Sequence, residues 1–363
     1  MASDFFTEVV DGRGAARGQL SLAVDETNTP WIAYANSGGN VVLAERRVNG
    51  WAREVLSSDA AARDAYRIGL AISSSPKLHA HVAYQSATTD HLIYGVRDTE
   101  WSFEEVPTRG GILTGPVRFP SLRLNPGILR SDLKDTPNLA YQSGLSLWHA
   151  TKIAPDPSKL PRWKRNVHLV DGADLIEKGW FTAMAFDFQG TLRIAYFDDM
   201  SPAGHHARRL RVATRVAGEE FAGQEEEWEV EVVHGGQILG ERPSMSNAFS
   251  GEGFVSYDER GGHAVRLCIF GDFPESPATE VVSEGVGGDE MYSACEMSSP
   301  SPICVVYGSA GRLMFARRTA IATYEIEDVE AGGAWSDLVF DSEGIAHFAH
   351  MNGSELRYGT WSP

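Results

Sequence analysis

Apolar and polar positions alternate in short runs along almost the whole chain. From Leu20 the sequence reads L-S-L-A-V-D-E-T-N-T-P-W-I-A-Y, then A-N-S-G-G-N, V-V-L-A-E-R-R and V-N-G-W-A-R-E-V-L, ending at Leu56. The period is two, β-branched and aromatic residues fill the runs, and Gly, Asn, Asp and Ser fill the breaks. That pattern predicts four short β-strands joined by tight turns. No segment of any length carries a helical period.

The same four-run unit recurs to the C-terminus. Its second run ends in I-A-Y at Tyr34, and the counterparts end at Tyr84, Tyr141, Tyr196, Tyr257, Tyr307 and His350, seven units at spacings of 43 to 61 residues. Third runs such as V-V-L-A-E, L-R-V-A-T and L-M-F-A-R keep step with them. So do fourth runs opening at Trp51, Trp101, Trp163 and Trp228, with weaker copies from Ala278 and Tyr324. The seventh unit ends at Trp361 without a fourth run. The matching piece stands at the other end of the chain, where F-F-T-E-V-V, Phe5 to Val10, aligns with W-A-R-E-V-L. The expectation is an all-β fold: a seven-bladed β-propeller of four-stranded antiparallel blades, its ring closed by the N-terminal strand completing the last blade. A single domain then spans 1–363, with blades at about 17–57, 66–107, 117–170, 180–234, 242–283, 290–329, and 334–363 plus 4–10.

Composition acts mainly by exclusion. Apolar residues make up 42% of the chain without a long apolar run, which supports a large core and no membrane span. A net charge of −17 argues against nucleic acid as the main partner. The opening M-A-S-D-F-F-T-E-V-V has neither the basic nor the apolar region of a signal peptide. A soluble protein is expected, cytoplasmic as the chain stands, secreted or periplasmic if a signal has been removed. Three cysteines cannot make a disulfide framework. If Met297 pairs with Pro302, Cys295 and Cys304 face each other and are either bridged or left as buried thiols.

The L-A-x-D-x-x-x-x-P-x-I-A-Y … L-x-Y-A … W … E-x-V style resembles the seven-bladed, sialidase-like (BNR-like) propellers common in bacteria, over nearly the whole chain. It is a signature of architecture. The S-x-D-x-G-x-T-W Asp-box is missing, the nearest string being Arg97-Asp98-Thr99-Glu100-Trp101, so sialidase activity is not implied. Propellers similar to this one include polysaccharide lyases, glycosidases and bond-forming or cyclising enzymes of secondary metabolism, none of which implies an organic cofactor here.

In a propeller the first strand of each blade lines the axis, and function is expected where the blades differ at the face on which those strands begin. Aligned first strands carry a small residue at one position in six units (Ser21, Gly69, Ser121, Ala183, Ser244, Ala294) and Asp337 in the seventh. Two residues earlier stand Gln19, Arg67, Phe119, Phe181, Arg242, Tyr292 and Trp335, with Tyr66, Arg118, Trp180 and Glu241 beside them and Arg17 just upstream. Aromatic walls suit sugar faces or aromatic ligands, and arginine forks suit carboxylate or phosphate. The same aromatics also suit plugs between blades. Deeper in the strands, Arg123 and Glu296 interrupt a column of small residues. They form a charged pair across the axis with Asp337, or else Glu296 or Asp337 acts as general acid or base beside Tyr292.

The insertion between the second and third strands of the fourth unit holds Asp198, Asp199, His205 and His206. These residue types can bind a divalent metal, though without a recognised spacing, and a solvated loop is the alternative. His350, in place of tyrosine, is either a packing choice or a titrating group. The functional expectation is binding of a small anionic or aromatic ligand or glycan end in one asymmetric pocket at the central axis. Catalysis there, as a lyase, glycosidase or biosynthetic enzyme, is the alternative, and a protein-interaction scaffold is the third.

Overall fold

The computed structural model describes residues 4–12, 18, 20–58, 68–74, 78–107, 115–128, 131–153, 162–163, 167–172, 176–199, 208–217, 225–235, 242–247, 251–259, 263–271, 277–286, 293–297 and 302–362. These form seven four-stranded antiparallel sheets, a seven-bladed propeller. The inner strands of blades 1 to 7 are Ser21–Val24, Gly69–Ile72, Val117–Leu124, Glu177–Phe186, Ser244–Asn247, Ser293–Met297 and Ala334–Phe340. Each packs against the next, and the first against the last, so the inner strands close a circle around the axis. Blade 7 takes its outer strand, Asp4–Asp11, from the N-terminus, with Phe5 opposite Trp361 and Thr7 opposite Gly359. Among the described residues the single helical element is a 3₁₀ turn at Ser131–Leu133.

The hairpins leaving the inner strands are tied by side chains that imitate a backbone turn. Asp25 Oδ1 accepts the amides of Thr27 and Thr29 at 2.8 and 3.0 Å. Asp187 does the same for Gln189 and Thr191, and Asp341 for Glu343 and Ile345.

Blades are joined by two repeating latches. The first explains the recurrent tyrosine. Each of these rings is buried, and in blades 1, 4 and 5 the hydroxyl reaches the end of the preceding blade's outer strand, whereas the Tyr141 hydroxyl has no hydrogen-bond partner among the described residues. Tyr34 donates to Asp11 Oδ2 at 2.7 Å, Tyr196 donates to Asp171, and Tyr257 bonds the His234 ring. Burial, then the Asp11 carboxylate, drives the Tyr34 phenol far above its ordinary range, so it acts as a fixed donor. His350 is the same latch in other chemistry. Its Nδ1 accepts from Gly333 N at 3.1 Å, which leaves Nε2 to donate to Glu330 of blade 6 at 2.9 Å. Burial pushes the Glu330 carboxyl up, but His350 and Arg357 outweigh it and hold the group below its ordinary range.

The second latch occupies the column of small residues. Ser121 Oγ accepts from Met184 N at 3.1 Å, and Ser244 Oγ from Cys295 N at 3.3 Å, each crossing to the next blade. Asp337 is the third instance: its Oδ2 accepts from Leu22 N at 2.8 Å and its Oδ1 from Leu338 N at 3.0 Å. Where the column holds Gly69, a Cβ would stand 2.7 Å from Leu122 Cβ, so glycine is what lets blades 2 and 3 close up.

The cysteine register differs from the sequence expectation by one residue. Met297 pairs with Ile303, so Glu296 stands opposite Cys304 and Cys295 opposite Val305. A one-residue slip turns side chains to opposite faces of a sheet. Cys295 therefore packs with Val305 and Tyr307 toward blade 5, and Cys304 with Phe315 and Phe348 toward blade 7. All three cysteines are free and buried.

Two outcomes test the closure. Deleting residues 1–11 removes the Phe5 ring, which sits 5.6 Å from Phe315, and the acceptor of Tyr34. Denaturant unfolding should show a loss of at least about 2–3 kcal/mol, from a half-buried aromatic and a charged hydrogen bond together. Asp337→Ala leaves the Leu22 amide without its partner and should cost about 1–3 kcal/mol, with Asp337→Asn intermediate because the amide keeps one acceptor oxygen.

Candidate functional site

At the mouth of the channel, where the inner strands begin, four ring positions share an unusual backbone. Phe119, Phe181 and Trp335 have φ of +54° and Arg242 has +64°. Strand register skips at three of them, between Arg118 and Ser121, Trp180 and Ala183, and Ala334 and Asp337. Each skip is a β-bulge that takes one residue out of the ladder and re-aims its side chain. A bulky residue in this left-handed region costs about 1–3 kcal/mol and persists only where its surroundings impose it. Part of that imposition is visible at Phe119, whose carbonyl accepts the Thr182 hydroxyl from blade 4.

The bulges bring the ring residues together. Phe119 and Phe181 lie 4.3 Å apart between ring centroids, with Trp180 at 5.5 and 5.8 Å from them. The Arg242 guanidinium lies 4.1 Å over the Trp335 ring and 5.6 Å from Phe181, so the cluster crosses the mouth from blade 7 to blade 3. Arg208, which the sequence reading missed, lies 4.9 Å over Trp180. Cation–π pairs of this kind each contribute about 0.5–2 kcal/mol. Phe119, Phe181 and Trp335 are buried, whereas Arg118, Trp180 and Arg242 are half-buried. Arg17, Gln19, Tyr66, Arg67, Glu241 and Tyr292 lie outside the described residues.

A second missed group stands beside Trp180. Glu177 opens the inner strand of blade 4, facing Asp199 across the sheet, and takes a hydrogen bond from Gln142 Nε2 at 3.1 Å. Burial raises its carboxyl above the ordinary range, although Arg118 and Trp180 pull it back, and Asp199 adds to the rise. Asp199 itself has Arg208 Nε at 3.7 Å. Arg118 Nε has no hydrogen-bond partner among the described residues.

The other candidates are placed as follows. Asp198 is fully buried between Arg209 at 2.5 Å, Arg211 at 3.6 Å and Lys178 at 3.7 Å. Those three cations occupy the carboxylate that a metal would need. His205 and His206 lie outside the described residues, and no group of three or more metal-type ligands occurs among the described ones. Glu296 is not at the mouth. It lies toward the foot of the channel, where Ser246 Oγ donates to its Oε1 at 2.6 Å, and there it feels the charges of Arg123 and Asp337. The triad of Arg123, Glu296 and Asp337 is thus one electrostatic group inside the channel.

No protein-family model matches the chain, and no curated protein matches it. Solved structures do. The polysaccharide lyase Uly1 is similar with a TM-score of 0.58 at 10% identity, over 97% of this chain and 90% of that one. AofleA from Arthrobotrys oligospora gives 0.53 at 10% identity, over 91% and 90%. The GH93 α-L-arabinofuranosidase of Fusarium graminearum, in complex with arabinobiose, gives 0.52 at 13%, over 82% and 92%. At these identities the likeness is one of fold.

The Glu177 environment has a measurable sign. A carboxyl whose folded pKa is raised destabilises the fold once pH exceeds the unfolded value of about 4.3. Glu177→Gln should therefore be neutral in stability near pH 4 and stabilising at pH 7–8, as read from melting temperatures across that range.

Proposed function

We propose that the chain binds the end of a glycan at one asymmetric site on the channel mouth, over blades 3 to 5. The observation that carries this reading is the half-buried Trp180, backed by Arg208 and flanked by Arg118 and Glu177. An indole face stacks on the apolar face of a sugar ring, while a guanidinium with an uncommitted N–H takes a hydroxyl or an acidic substituent. The set is assembled from unlike residues of neighbouring blades, so it supports one site rather than several equivalent ones. The solved structures of similar fold include, by their own descriptions, a polysaccharide lyase, an arabinofuranosidase and a lectin in complex with methyl fucoside, which is consistent with a carbohydrate ligand.

A second reading, catalysis on the bound glycan, is favoured by Glu177. A carboxyl held toward its protonated form, facing a carboxylate flanked by arginine, divides acid and base roles between two groups. Glu177 suits this better than Asp337, whose two oxygens each accept a main-chain amide.

A glycan array followed by calorimetry on the best binder tests both. Trp180→Ala should weaken binding at least tenfold while the chain stays folded, with a stability loss of about 1–2 kcal/mol from the lost contacts with Phe119 and Arg208. Binding at several equivalent sites per chain, or binding indifferent to Trp180→Ala, would overturn the reading. If the bound glycan is also cleaved, Glu177→Gln should abolish release of new ends while keeping affinity.

A further inference from the structure

At the foot of the channel, opposite the mouth, the inner strands of blades 3 to 6 end around a cleft of about 420 Å³. Leu124, Ile128, Phe186, Phe188 and Met297 form the apolar part of its wall, and Arg123, Asp187, Ser246, Asn247 and Glu296 the polar part. Asp187 is occupied by the Gln189 and Thr191 amides and by Arg193 at 3.5 Å. Arg193 also donates to Asn247 Oδ1 at 3.4 Å, which fixes the orientation of that amide. Asn247 Nδ2 is then left buried with no hydrogen-bond partner among the described residues. Arg123 gives Nη1 to its neighbour's carbonyl, Leu122 O, at 3.2 Å, and a guanidinium has five N–H groups. Glu296 Oε1 accepts from Ser246 Oγ at 2.6 Å and Met297 N at 3.4 Å.

The unmatched capacity is therefore in donors, at Asn247 and Arg123, beside an apolar wall. We propose that this cleft is a second ligand site, taking a small carboxylic acid with an apolar or aromatic body. The carboxylate lies on Arg123 and Asn247, and the body lies against Phe186, Phe188 and Met297. One guanidinium and one amide match two oxygens bearing a single charge. A phosphate would bring more charge and more acceptors than the cleft answers. An ammonium ion would leave both donors unmatched and face Arg123.

Glu296 also lines the cleft and fits this occupant. Burial raises its carboxyl, Ser246 and Arg123 oppose the rise, and Asp337 adds to it. The charged groups facing it are Arg123 from blade 3 and Asp337 from blade 7, with Asp187 of blade 4 already held by Arg193. An incoming carboxylate raises Glu296 further, which favours the protonated form that can offer an O–H to the ligand. Binding should therefore be accompanied by proton uptake and tighten as pH falls, over a range in which benzoate stays ionised.

The test is calorimetry on the full chain with benzoate, benzyl alcohol and benzylammonium. Benzoate is expected to bind at least tenfold more tightly than either relative and to lose at least tenfold on Arg123→Gln. Asn247→Ala should weaken it several-fold, and decides the matter if melting shows that Arg123→Gln does not fold. No benzoate binding, equal binding of benzylammonium, or benzoate binding unchanged by these substitutions would overturn the proposal. Where a glycan binder is in hand, its titration should be unaltered by saturating benzoate. Competition between the two would mean one site and not two, and would also overturn it.

Discussion

Seven radial sheets leave seven inner strands, each with a row of backbone groups turned to the axis and no eighth sheet to pair with. Unpaired sheet edges are both a cost and an aggregation hazard. The molecule meets the constraint by letting each blade complete its neighbour. Ser121, Ser244 and Asp337 accept inner-strand amides of the following blade, and Tyr34, Tyr196 and Tyr257 reach back to the outer strand of the preceding one. Neither latch works on a lone blade. The circle has to close, and the N-terminal strand, which carries the acceptor for Tyr34, is the piece that closes it.

This division of labour sets the two ends of the channel apart. At the mouth, the aromatic rings and arginines of blades 3, 4, 5 and 7 pack on one another, with Trp180 and Glu177 half-buried beside them. At the foot, the strands of blades 3 to 6 end short of one another and leave open volume lined by Arg123 and Glu296. Between the two stands Asp337, a latch whose charge is still felt at Glu296.

Much of this was legible in the sequence. The recurrent tyrosine, the column of small residues and the strand borrowed from the N-terminus all follow from the repeat, because each answers a demand that every blade makes. Three things were hidden, each for a physical reason. The bulges at Phe119, Phe181 and Trp335, and the left-handed turn at Arg242, carry no glycine, so nothing in the residue types announces that backbone. Glu177 lies in an extension of the blade 4 strand, outside the columns that the repeat aligns. Glu296 was visible as an exception, but which end of the channel it faces depends on where strands stop. The same sensitivity moved Cys295 and Cys304 by a single residue and separated them.

The bulge has a consequence for how this scaffold can change. A residue within a ladder is constrained on both sides: its neighbours on the adjoining strands and the alternation of faces decide what it can be. A bulged residue is excused from that alternation. Phe119, Phe181 and Trp335 occupy equivalent bulges with equal φ, and Arg242 just before the blade 5 strand has nearly the same φ, so the backbone there is indifferent to what it displays. The rim of the channel is therefore a set of interchangeable sockets, in which selection can rewrite the displayed side chains one blade at a time while the architecture beneath is inherited unchanged.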